Sequence, residues 1–464
     1  ESVTGRAVAY VGAASYLFPV SVRENLVYGL RHRPVADASY AGEARRTRER
    51  QLREATRAGN SPLDINAQWL DYESAGVTGP PEMEDRILEI LKTVDLEETL
   101  FEIGLKSAVS SVHSPGLADN ILLARETMRN RLSHPDVKDL VERFDIERYN
   151  RNATMAENLL FGTPVGKVFD MESLALNTYV RKVLTDTGLS GDLLKVGHKL
   201  AETMLELFSD LPPGHELFER FSFIAYDDLP NVKDILSRAA STGLDRIPHS
   251  DRNLLLGLPF KLVITKHRLG LIDEALEGRI LEARRHFAEN LPEDMRNSIA
   301  FFDPVRYNSV ASLQDNILFG KVATSQAGGS AQIGALMRQI LDELNLRSLV
   351  LRIGLDYQVG TGGARLSVPD RQKVAIGRAL LKRPTVLILD QASSVMDPAA
   401  QKRLVTSVLA CRQGHSVYWV LNRADLAQRF AQVLVMEQGT LAEQGVYEEL
   451  LRRDSALNRL LKSG

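Results

Sequence analysis

Residues 385–390, TVLILD, form an apolar run that ends in a carboxylate, Asp390. The run has the length and composition of a strand buried on both faces, and α/β proteins place their sites at the carboxyl ends of such strands. Asp390 is therefore the first candidate for chemistry, because a carboxylate there suits a magnesium-bound water. The plainer reading is a turn aspartate that closes a buried strand. Upstream, Ser367 is followed by Val368, Pro369 and Asp370. This is a self-sufficient helix start: Ser367 caps, Pro369 suits the first turn and Asp370 complements the helix dipole. Other reactive residue types are thinly spread. The nine histidines lack metal-ligand spacing, and Cys411 is the single cysteine, which excludes an internal disulfide or a cysteine-based zinc site.

The elements that position these residues follow a repeat. Three segments share the pattern [ST]-apolar-x-[DE]-N-[LI]-x-[FY]-G: Ser21 to Gly29, Thr154 to Gly162 and Ser312 to Gly320. Each has a tyrosine nine residues before its asparagine, namely Tyr16, Tyr149 and Tyr307. Ser or Thr followed three residues later by an acid marks a helix start. A second shared element, Ile103-Gly104-Leu105, Val196-Gly197-His198 and Ile353-Gly354-Leu355, lies 79, 39 and 38 residues beyond the asparagine. The first copy thus carries an insertion of about forty residues within 37–80. Its segment GEARRTRERQLREATRAG (42–59) reads as a solvated helix with charge pairs, in preference to a basic partner-binding helix. Residues 59–81 read as loop, and 171–300 as mostly helical, without a catalytic constellation. In the first copy Leu117 to Arg125 faintly echoes the Ser367 segment. In the second copy no counterpart is found.

Residues 366–397, LSVPDRQKVAIGRALLKRPTVLILDQASSVMD, resemble the core of an ABC-transporter ATPase domain, whose pattern runs LSGGQ, a helix, then a strand ending LLLDEATSALD. Residues 7–29 resemble the segment that follows that family's Q-loop, and 433–451 its last hairpin, turning at Gln438-Gly439. The resemblance is strong over 301–464 and 7–30. It implies an α/β, P-loop NTPase-like ABC ATPase fold, partial, at the C-terminus, preceded by helix-rich degenerate repeats. The expected domains are 1–143, 144–300 and 301–464.

The resemblance also assigns roles. Asp390 is the magnesium-side carboxylate and Asp397 belongs to a dimer-contact loop. Gln391 stands where the family has the glutamate that polarises water; an amide orients water but accepts no proton at neutral pH. Asn422 stands at the switch histidine, and Ala13, Ile146 and Pro304 at the Q-loop glutamine. Ser367 and Asp370 stand in the signature that meets the γ-phosphate, where Val368 adds bulk, Pro369 removes a donor and Asp370 adds negative charge. The Walker A pattern GxxxxGK[ST] does not occur. Gly162 to Val168 comes nearest, one residue short and without the hydroxyl. In the family that motif would precede residue 1. The cofactors implied are ATP and magnesium. The expectation is a cytosolic ATP-binding region of a transporter-like protein, with an upstream transmembrane partner, a homodimer and near-background hydrolysis by this chain alone. The alternative is a non-catalytic pseudo-ATPase scaffold.

The bulk composition agrees. The 464 residues are 44% apolar and 25% charged, with net charge -3 and pI near 6.4, as in ordinary globular proteins and without a basic field for nucleic acid. No apolar run reaches the ~18 residues that span a bilayer. Residue 1 is Glu rather than Met, so a longer product is expected, and the placement expected is cytoplasmic, at the membrane face.

Overall fold

The computed structural model describes residues 5, 7–110, 116–212, 214–324, 326 and 328–463. The chain forms two compact units, Glu1–Gly104 with Leu349–Gly464, and Leu105–Ser348. These units cut across the three consecutive segments expected from the repeats, because the pieces that complete a repeat come from different parts of the chain.

In the first unit three parallel strands lie in the order Val8–Val11, Val386–Asp390, Ser416–Val420. Alternation sorts their side chains. Ala9, Val11, Leu387 and Leu389 are buried, whereas Tyr10, Ile388 and Tyr418, which stand in register, lie on the other face. Tyr10 is 63% exposed and Tyr418 56%. The strand ending at Asp390 is thus buried on one face only, not both as its apolar run predicts. The buried face meets the helix Val368–Leu381, which also packs on the helices Val22–Val27 and Pro80–Thr93. A hairpin, Val433–Glu437 with Thr440–Gly445, turns at Gln438 and Gly439, both at positive φ (48° and 79°), the conformation a two-residue hairpin loop requires. The inserted helix, Gly42–Ala58, buries no residue and ends at a left-handed Gly59; Arg45 pairs with Glu49 one turn on.

The second unit holds the other two motifs, those at Thr154 and Ser312. The strand after each motif pairs antiparallel with the strand before the other: Gly162–Pro164 with Ile299–Phe301, and Gly320–Val322 with Val141–Arg143. The phosphate-loop look-alike at 162–168 begins as one of these strands. Between the two pairs sits an aromatic cluster. Phe144 stacks on Phe302 at 4.2 Å, and Phe161 and Phe319 meet that pair edge-on.

The asparagine common to the three motifs explains how each copy closes. Its Oδ1 accepts the N–H of a residue seven or eight positions earlier: Phe18 to Asn25 (2.9 Å), Asn150 to Asn158 (2.8 Å) and Asn308 to Asn316 (2.9 Å). A helix elsewhere then supplies an arginine. Arg378 donates through Nε to the Asn25 carbonyl (2.8 Å) and through Nη2 to its Oδ1 (2.8 Å). Arg284, on Glu274–Glu289, does the same to Asn158 (2.6 and 3.0 Å), and Arg125, on Leu117–Arg131, to Asn316 (2.7 and 3.1 Å). Each guanidinium also lies over an aromatic ring of its motif, Tyr28, Phe161 or Phe319.

This arrangement corrects two readings. The second copy does have a counterpart of the Ser367 helix, the one carrying Arg284. The first and third copies have exchanged theirs: the first motif is completed by the Arg378 helix and the third by the Arg125 helix. The repeated glycines serve the helix crossings around these cradles. A Cβ on Gly354 would collide with the Leu100 carbonyl, one on Gly104 with that of Val350, and one on Gly197 with that of Leu255.

Candidate functional site

The parallel sheet brings three of the six candidate residues to its carboxyl end. Asp390 closes its strand, half-buried, and its Oδ2 accepts the Tyr10 hydroxyl at 2.9 Å. The hydrogen bond to Asp390, and then partial desolvation, raise the Tyr10 pKa above 10.0, so the phenol stays protonated and donates to the carboxylate. Gln391 follows in a left-handed conformation (φ 51°). Its N–H donates to the Val420 carbonyl (3.1 Å) and its carbonyl accepts from Ser394 (3.0 Å). That turn exposes the Gln391 side chain and ties it to the neighbouring strand, two residues beyond whose end lies Asn422, also exposed.

Asp397 has a structural duty of its own. It caps the helix Pro398–Cys411, accepting the N–H groups of Ala400 (2.9 Å) and Ala399 (3.0 Å). The Ala400 hydrogen bond, with that of Ala399, holds its carboxyl below the usual 3.8.

The remaining two candidates, Ser367 and Asp370, sit at the start of the Arg378 helix. Ser367 accepts the Asp370 N–H at 3.2 Å, and its hydroxyl donates back to Asp370 Oδ2. Asp370 Oδ1 takes the Thr99 hydroxyl at 3.5 Å, and Lys373 stands 4.0 Å away. This helix start is closed by its own serine and aspartate.

Residues that sequence reasoning missed tie the two places together. Gln372, buried in the Arg378 helix, donates to the Gly12 carbonyl at 2.6 Å. Arg378 reaches the Tyr16 carbonyl at 3.4 Å. The loop 12–16, with Ala13 exposed in it, is thereby fastened to the helix that starts at Ser367. The signal was present as the recurrence of an asparagine in three motifs, which capping alone does not explain.

The donor set decides what this end of the sheet can hold. Among the described residues no group of three or more His, Cys, Asp or Glu converges as a metal site. Asp390 offers one carboxylate, already hydrogen-bonded to a phenol. At the other place the Asp370 carboxylate fills the helix N-terminus where a phosphate would need N–H donors. The residues present do not by themselves fit a magnesium–nucleotide complex.

Comparisons with known proteins point to one family. The chain is similar to an ATM1-type heavy metal exporter of Novosphingobium aromaticivorans, 25% identical over 318 residues, which cover 64% of this chain and 49% of the exporter. It is 34% identical over 148 residues to the heterocyst differentiation ATP-binding protein HepA of a Nostoc species, covering 32% of this chain and 23% of that protein. It is 30% identical over 185 residues to an ATP-dependent lipid A-core flippase of Ralstonia nicotianae, covering 39% and 30%. The chain spans half or less of the length of these relatives. No family model matches. A solved structure of a bacterial Atm1-family ABC exporter with ATP bound aligns over 80% of this chain and 85% of that one, at 17% identity and a TM-score of 0.23, too low to bear on the fold.

The relatives support an ABC transporter family. They also overturn the cytoplasmic placement expected above. Exporters and flippases work in a membrane, although no helix among the described residues is long and apolar enough to cross one.

Proposed function

We propose that this chain is part of an ABC exporter-like protein that couples nucleotide binding to transport across a membrane. In this reading the first unit is a partial P-loop NTPase-like domain, holding the Q-loop-like strand, the signature-like helix, the Walker B-like strand and the D-loop-like turn. The phosphate cradle and the transmembrane partner lie outside this sequence, and the working protein is a homodimer. One observation carries the reading: a three-stranded parallel sheet ends in Asp390 while one of its faces, with Tyr10, Tyr418 and Val420, stands open. Parallel sheets are ordinarily covered on both faces, so this sheet has the form of one part of a larger domain.

A second reading, a non-catalytic scaffold descended from such a domain, is favoured by the closed Ser367–Asp370 helix start and by Gln391 in place of a general base. Loss of a general base alone slows a reaction by ~10²–10⁴-fold. Both readings expect this chain by itself to hydrolyse ATP near background.

The test is reconstitution of the complete gene product in vesicles, with ATP-dependent uptake and ATPase activity measured for the parent and for Asp390→Asn. Transport that requires ATP and falls with Asp390→Asn supports the first reading. A complete product that is folded yet neither binds nor requires ATP leaves the scaffold. Replacing Val368, Pro369 and Asp370 by Gly, Gly and Gln is expected to raise nucleotide affinity if the closed helix start is what excludes phosphate; unchanged affinity counts against that account.

A further inference from the structure

The first unit carries a second polar cleft, of about 490 Å³, formed without Asp390 or Ser367. Its wall includes four cations, Lys92, Lys402, Arg403 and Arg429, one acid, Asp95, and the Ser407 hydroxyl. Three elements supply them. Lys92 sits in the last turn of Pro80–Thr93 and Arg429 in the last turn of the 3₁₀ segment Ala424–Arg429. Arg403 and Ser407 are four residues apart on Pro398–Cys411, with Lys402 beside them, so they share a helix face.

The charges do not balance. Asp95 is already engaged: Arg403 reaches its Oδ2 through Nη2 (3.0 Å) and Nε (3.3 Å), and Lys373 stands 3.7 Å from it. Lys92, Lys402 and Arg429 make no ion pair among the described residues. The Nε of Arg429 is buried and lacks any hydrogen-bond partner. A buried guanidinium N–H without an acceptor is costly, which leaves the rest of the Arg429 guanidinium to answer an anion in the cleft. Three uncompensated cations around one concavity repel one another until a multivalent anion offsets them.

We propose that this cleft binds a phosphate-bearing anion. Oligophosphate chemistry meets all three demands: several negative charges for the lysines, paired oxygens for a guanidinium fork, and an acceptor for the Ser407 hydroxyl. The phosphate belongs either to a free oligophosphate or to a lipid headgroup. The inference does not depend on the transport reading.

The test uses this chain with two probes, sodium tripolyphosphate followed by isothermal titration, and phosphatidylcholine vesicles with or without phosphatidic acid followed by sedimentation. Saturable one-site binding is expected, weakened about tenfold by Lys402→Gln or by Arg429→Gln, since each removes a charge-assisted contact. Arg50→Gln with Arg53→Gln, on the exposed 42–58 helix, is expected to leave it unchanged. Lys92→Gln supplies an independent reading should Arg429→Gln unfold the chain, as judged by circular dichroism. Binding of tripolyphosphate alone identifies a free phosphate; binding only of vesicles containing phosphatidic acid identifies a headgroup. Failure of both probes at millimolar concentration, or equal loss in the 42–58 variant, overturns the proposal.

Discussion

The two units use one device in two settings. In the second, Arg284 is 3% exposed, and its hydrogen bonds among the described residues go to carbonyl oxygens and an amide. Beyond Asn158, its Nη1 donates to the carbonyls of Ile146 (2.8 Å), Asp145 (3.1 Å) and Arg148 (3.2 Å). Arg125 repeats this with Pro304, Asp303 and Arg306. In the first unit Arg378 has a single such bond, to the Tyr16 carbonyl at 3.4 Å, and it is only half-buried. Burial pulls the pKa of all three arginines down, that of Arg284 to about 10. The comparison teaches that the same asparagine–arginine pair is a sealed structural lock in the second unit and a looser fastening in the first. Only in the first unit does the fastened loop lie in the element that leads from the Asp390 sheet.

The largest expected effect tests that contrast. Arg284→Met leaves a set of buried carbonyls and the Asn158 amide without their donor, and is expected to lower stability by ~3–5 kcal/mol, because each buried acceptor left unsatisfied costs about 1–3 kcal/mol. Arg378→Met is expected to cost less, about 1–3 kcal/mol, because water reaches its site. Urea titrations of the two variants check this; equal losses would remove the distinction between the units.

Gly197→Ala is next. Its Cβ would meet the Leu255 backbone, which does not yield as a side-chain tip does. A loss of about 1–3 kcal/mol is expected from overpacking, readable as a lowered urea midpoint at unchanged slope. Retained stability would mean that the helix crossing is softer than drawn.

The smallest effect concerns pH. Burial pushes the Glu157 carboxyl up, but Lys321 at 2.7 Å and the Thr154 N–H and hydroxyl at 2.8 and 2.9 Å pull it below the ordinary 4.5. A carboxyl with a depressed folded pKa stabilises fully above its unfolded value and loses that contribution as pH falls from 4.5 through the lower folded value. Parent and Glu157→Gln are therefore expected to differ most near neutrality and to converge in acid. A constant difference across the titration would assign the effect to packing.

Much of the local structure was legible. The S-x-x-D start at Ser367, the helix starts at Ser21, Thr154 and Ser312, the Gln438-Gly439 turn and the strand ending at Asp390 all appear where short-range chemistry puts them. The repeats were legible because asparagine, aromatic and glycine recur at fixed spacing. The second copy's arginine helix lacks the S-x-x-D start that marks the Ser367 helix, yet its Ile280-Leu281-Glu282-Ala283-Arg284 matches Ile121-Leu122-Leu123-Ala124-Arg125 at four of five positions, with the arginine among the buried residues in both. The exchange between the first and third copies was invisible for a different reason. Three equivalent motifs and three equivalent helices satisfy each other in any pairing at the level of sequence.

Sequence alone determined which residues cap, turn and alternate, because those choices depend on neighbours within a few positions and on backbone sterics. It also determined the chemistry that Gln391, Val368, Pro369 and Asp370 bring, an amide, bulk, a missing donor and a negative charge, since chemical identity does not depend on fold. Only the tertiary structure decided which arginine answers which asparagine, that Tyr10 occupies Asp390, that one face of the parallel sheet stands open, and that Lys92, Lys402 and Arg429 share a cleft. These are matters of long-range geometry: 126 to 380 residues separate the hydrogen-bonded partners, and only the packing of whole elements brings them within reach.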